Sequence, residues 1–92
     1  MGSKRYKLLE ISSSGCANCV TMSGVISQIA AGREDFEAES KDVTQFDEAT
    51  LKAWEVTQAP VLLLLDQNVV IGRVFGYQIP EILELWIDSR IK

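Results

Sequence analysis

Only two cysteines occur in this 92-residue chain, and they stand three apart in Cys16-Ala17-Asn18-Cys19. On a helix that spacing brings both sulfurs to one face. Two such thiols can exchange with a disulfide: one attacks as thiolate, a mixed disulfide forms, and the second resolves it. Histidine is absent, which removes Ser-His and Cys-His nucleophile pairs. A closed zinc site within one chain is also disfavoured, because zinc usually takes four N or S ligands. Taken as a bare motif, the pair still admits two structural cysteines, or a metal shared between two chains.

The position of the motif adds to its chemistry. Tyr6 to Ile11 reads as a strand, closed by the cluster Ser12-Ser13-Ser14-Gly15. Cys19, Met22, Ile26 and Ile29 then recur at helical spacing, with Ser13 or Ser14 as the expected cap and Gly32 at the expected C-terminal end. The cysteines therefore fall where a strand gives way to a helix. Unpaired N–H groups and the positive end of the helix dipole favour a thiolate there. Cys16 comes first and is expected to be the exposed, attacking thiol. Cys19 shares its stripe with Met22 and Ile26 and is expected to be buried.

The remaining elements follow from periodicity. Phe36 to Val43 reads as a weak strand whose Glu37, Glu39 and Lys41 suit a sheet edge. Asp47 to Trp54 reads as a short helix capped by Thr44 or Asp47. Val61 to Leu65 is an unbroken apolar run, as in a strand covered on both faces. Asp66-Gln67-Asn68 is a turn, and Val69 to Val74 returns as its hairpin partner. Ile79, Ile82, Leu83, Trp86 and Ile87 outline a final helix with Pro80 in its first turn. The expected architecture is α/β: a four-stranded mixed sheet, βαβ followed by ββα, with helices on both faces. Residues 1–92 make one domain, with residues 1–5 expected to be flexible or tag-derived.

Composition excludes several classes. Apolar residues make up 47% of the chain, enough for a core. The net charge of −4, with cations scattered apart from Lys4, Arg5 and Lys7, argues against nucleic acid. The longest apolar run is far short of the roughly 20 residues of a membrane-spanning helix. Met1 to Glu10 has no apolar core of a secretory leader, so a cytoplasmic location is expected.

Three features together resemble the thioredoxin family over nearly the whole chain. They are Gly15-Cys16-Ala17-Asn18-Cys19 after a strand, Val56-Thr57-Gln58-Ala59-Pro60 before an apolar strand, and Gly76 after the returning strand. The resemblance implies that Pro60 is cis and faces the cysteines, with Ala59 offering its backbone to an extended substrate peptide and Gly76 beside it. It also implies that Glu10, six residues before Cys16, is a buried acid beneath Cys19 that takes its proton. Lys41, nineteen before Pro60, matches a lysine that faces this acid. From the residues alone, Glu10 and Lys41 read equally well as solvated strand charges.

The sequence also departs from the family. Gly15 replaces the usual Trp, and Ala17-Asn18 replaces Gly-Pro between the cysteines. The leading strand and helix of full-length thioredoxins are missing, so the chain is nearer a glutaredoxin in size, yet it lacks the glutathione-site pattern of that group. The function implied is a dithiol oxidoreductase that reduces protein disulfides, recycled by an unidentified reductase. It needs no cofactor beyond a redox-active Cys16–Cys19 disulfide, and a monomer is expected. A partner-binding module with idle cysteines and a metal-handling protein are the rival classes.

Overall fold

A computed structural model describes residues 4–91. The strands are β1 (Tyr6–Ser12), β2 (Phe36–Asp42), β3 (Val61–Asp66) and β4 (Val69–Phe75). The helices are α1 (Ala17–Ala31), α2 (Glu48–Ala53) and α3 (Pro80–Arg90), with a 3-10 turn at Val43–Gln45. The sheet order is β2-β1-β3-β4. β1 runs parallel to β2 and antiparallel to β3, and β4 returns antiparallel to β3. The charged β2 is thus an edge strand, as its alternation suggests.

Strand periodicity sorts the core into two layers. Leu8, Leu62 and Leu64 pack against Met22, Ile26 and Ile29 of α1 and Leu83 and Ile87 of α3. Leu9, Ile11, Val61, Leu63 and Leu65 face the other way, against Leu51 of α2, Trp54 at its C-terminal cap and the nearby Phe46. All five residues from Val61 to Leu65 are buried, which explains a run without alternation: β3 is central and covered on both faces. Each fully buried leucine contributes roughly 1.5–3 kcal/mol of transfer free energy. α1 is thereby fixed over the same sheet face that carries Glu10, and this positions the cysteines.

Several local expectations need correction. α1 is capped by Cys16, not by Ser13 or Ser14. Gly15 turns the chain at φ +74°, and the extended residue that starts the helix is the next one. Of the two caps expected for α2, Asp47 is the one used, its Oδ1 accepting the Thr50 N–H at 2.8 Å; Thr44 lies in the preceding 3-10 turn. The apolar stripe of the last helix is narrower than its sequence: Leu83 and Ile87 are buried, but Ile79 and Ile82 are 50% and 48% exposed. Ile79 is the cap residue outside the helix, and Ile82 lies roughly 100° around the axis from Leu83. Of the start expected to be loose, residues 1–3 lie outside the described residues. Lys4 Nζ donates to Glu34 O at 2.6 Å and Arg5 pairs with Asp66 at 2.9 Å, so these two residues are tied to the domain. No helix among the described residues is long and apolar enough to cross a membrane.

Candidate redox site

Cys16 and Cys19 are joined in a disulfide at the N-terminus of α1. Cys16 is half-buried, whereas Cys19 is 4% exposed. Cys16 Sγ also accepts the Cys19 backbone N–H at 3.1 Å. The sulfur therefore satisfies one of the otherwise unpaired donors of the first helical turn. A Cβ at Gly15 would meet nothing within 4 Å, so it is the left-handed backbone, not crowding, that favours glycine there.

Both cysteines line an open cleft of about 550 Å³ whose walls include Glu10, Val20, Ser23 and Ser40. Glu10 is fully buried. Its Oε1 accepts from Ser40 Oγ at 2.8 Å, and its Oε2 is buried with no partner among the described residues. Burial pushes the carboxyl above its ordinary value, and the Ser40 hydrogen bond pulls it partly back. The site thus joins a disulfide to a carboxyl group inclined to hold a proton.

Lys41 does not face this acid. Glu10 is the register partner of Ser40, and Lys41 is the partner of Ile11, so alternation turns the lysine to the opposite sheet face. There its Nζ lies 3.5 Å from Glu39 Oε2 and 5.9 Å from the centre of the Phe46 ring. Lys7 pairs with the same Glu39 at 3.0 Å, and that hydrogen bond chiefly holds the Glu39 carboxyl below the usual range. The resemblance matched Lys41 by its distance along the chain, and the strand register overrides that match.

The Ala59–Pro60 peptide is cis. Pro60 is buried, and its carbonyl accepts the Gly76 N–H at 2.8 Å, which brings these predicted substrate-side residues together. Gly76 has φ +80° with open space where a Cβ would stand. Val61, the next residue, pairs with Ile11, so the Pro60 loop and the Cys16 turn leave the sheet at the same end. Ala59 lines a separate hollow of about 280 Å³ on the α2 side, and Ser13 borders both that hollow and the cysteine cleft.

Ser23, Ser40 and Val20 are site residues that the sequence reading missed. Signals for the serines were present: Ser23 falls one helical turn after Cys19, and Ser40 shares the strand parity of the buried Phe36. Val20, 76% exposed beside the disulfide, carries no such signal.

A four-stranded mixed sheet with a Cys-x-x-Cys disulfide after its first strand defines the thioredoxin-like class. A family model described as Thioredoxin domain matches residues 7–84, and the chain belongs to that family. A mutant thioredoxin from Halobacterium salinarum NRC-1 has a similar structure, with a TM-score of 0.76 and 21% identity, covering 97% of this chain and 77% of that one. At that identity the likeness speaks for the fold. No curated protein sequence matches the chain.

Proposed function

We propose that this protein is a thiol–disulfide oxidoreductase that reduces protein disulfides by dithiol exchange. The observation that carries the reading is the Cys16–Cys19 disulfide at a helix N-terminus, in one cleft with the buried carboxyl group of Glu10. In the reduced protein, the Cys16 thiolate attacks a substrate sulfur. A mixed disulfide forms and the first substrate thiolate leaves. Cys19 gives its proton to Glu10 and attacks Cys16 Sγ. The Cys16–Cys19 bond forms, the bond from Cys16 to substrate breaks, and the second substrate thiolate leaves. Two electrons pass to the substrate, and an external dithiol reductase restores the pair. The Ala59–Pro60 edge, tied to Gly76, is the surface against which an extended peptide aligns.

The test is reduction of insulin with dithiothreitol as electron source. Wild type is expected to accelerate it, and Cys16→Ser to lose the acceleration. Full activity in Cys16→Ser overturns the assignment of the nucleophile. An inert wild-type disulfide favours a binding module instead.

A further inference from the structure

We propose that the Ser40 and Ser23 hydroxyls form the proton path that connects Glu10 to solvent, with Ser40 as the positioning residue for the carboxylate. This rests on the dithiol-exchange reading above. Glu10 has no exposed surface, so a proton received from Cys19 cannot pass directly from the carboxyl group to water. Ser40 Oγ lies 2.8 Å from Glu10 Oε1, and Ser23 Oγ lies 3.0 Å beyond it. Ser40 is exposed and Ser23 half-buried, so the path from the core reaches the surface at Ser40, with Ser23 as a second hydroxyl beside it.

Each hydroxyl has one proton to donate and lone pairs to accept. While Glu10 is ionised, Ser23 donates to Ser40 and Ser40 donates to Oε1. When Glu10 carries a proton, the bond to Ser40 can reverse: the carboxyl group donates to Ser40, and Ser40 donates to water directly or by way of Ser23. One proton leaves and the hydroxyls end unchanged. The unpartnered Oε2 is the oxygen free to receive from Cys19, and a half-turn of the carboxyl group then presents that proton to Ser40. The Cys19 S–H bond breaks as a Glu10 O–H bond forms, and no electrons move in this step.

No other group on the packed elements can take over the role. On β3, Glu10 faces Leu62, and from α1 it meets Cys19 and Ser23 across the cleft. On β2, Glu39 and Lys41 have the parity of the opposite face and pair with each other. The remaining cleft residues carry no charge. An unbonded buried carboxyl group reverts to its neutral form, which cannot accept a proton. Ser40 supplies the bond that offsets this.

The experiment reacts reduced full-length protein with an aromatic disulfide that releases thionitrobenzoate twice, first when Cys16 is captured and again when Cys19 resolves it. Rates are followed against pH and in heavy water, alongside a carbon-detected NMR titration of Glu10. Ser40→Ala is expected to raise the Glu10 midpoint and the midpoint of the second release by about one pH unit, the size of a hydrogen bond to a charged group. Ser40→Thr, which keeps the hydroxyl and suits an edge strand, is expected to restore both. Ser23→Ala is expected to leave the midpoint in place and to slow the second release less than Ser40→Ala does. The first release stays at the wild-type rate throughout. An unchanged second release in both alanine variants, or an unchanged Glu10 midpoint in Ser40→Ala, overturns the proposal. If wild type shows no second release, the dithiol-exchange reading itself fails, and the relay falls with it.

Discussion

Cys16 caps the helix that carries its own partner: its Sγ accepts the Cys19 N–H at 3.1 Å while bonded to Cys19 Sγ. One atom thus serves the start of α1 and the disulfide. A serine at this position can retain the first role and not the second, which makes the two separable.

Under reducing conditions, Cys16→Ser is expected to unfold within about 0.5 kcal/mol of wild type, because Ser is a strong helix cap. Cys16→Ala is expected to lose about 1 kcal/mol, the usual cost of removing a cap. Urea unfolding in excess reductant measures both. Equal stability of the two variants would show that the sulfur does not cap the helix in the reduced protein.

Glu10 makes stability depend on pH. Burial holds its folded-state pKa above the ordinary value of 4.5. Between those two values the folded protein keeps a proton that the unfolded chain has released. Stability therefore falls as pH rises through the folded pKa, and is greater below 4.5. Glu10→Gln removes this dependence. It is expected to be about 1–2 kcal/mol more stable than wild type near pH 7.5, with the gain fading by about pH 4. Denaturant melts at both pH values check this, and a pH-independent difference would place Glu10 in solvent.

Lys41→Gln tests the corrected register. The lysine sits with Glu39 on the sheet face away from the cleft, so the rate at which Cys19 resolves a mixed disulfide is expected to stay within about twofold of wild type, as for surface charges remote from a site. A tenfold loss would mean that Lys41 reaches Glu10 in solution.

The sequence was most legible where one physical signal acted alone. The apolar run from Val61 to Leu65 is buried on both sides, and Cys19, Met22, Ile26 and Ile29 all face the core. It was least legible where two residues far apart had to be placed across strands. Distance along the chain put Lys41 beside Glu10, but parity on β2 gave that place to Ser40, a change of one residue that reverses the face. The caps went astray for a related reason. Ser13 and Ser14 have the right side chains, yet the left-handed turn at Gly15 delays the helix until Cys16. The outward-facing Ile79 and Ile82 show that a periodic stripe marks a helix without fixing how wide an arc its neighbours cover.

The placement of β1 between β2 and β3 bears on how the chain assembles. β3 and β4 are joined by the two-residue turn Gln67-Asn68, so their pairing closes a very short loop. Leu8, by contrast, must find Leu64 across most of the molecule, an entropically dearer closure that β3 has to wait for. Cys16 follows β1 and Pro60 precedes β3, so the two sides of the site meet only when that distant closure is made. The corner of the molecule that holds the disulfide is then a product of its longest-range strand pairing, and a nascent chain lacks that corner until its sheet is complete.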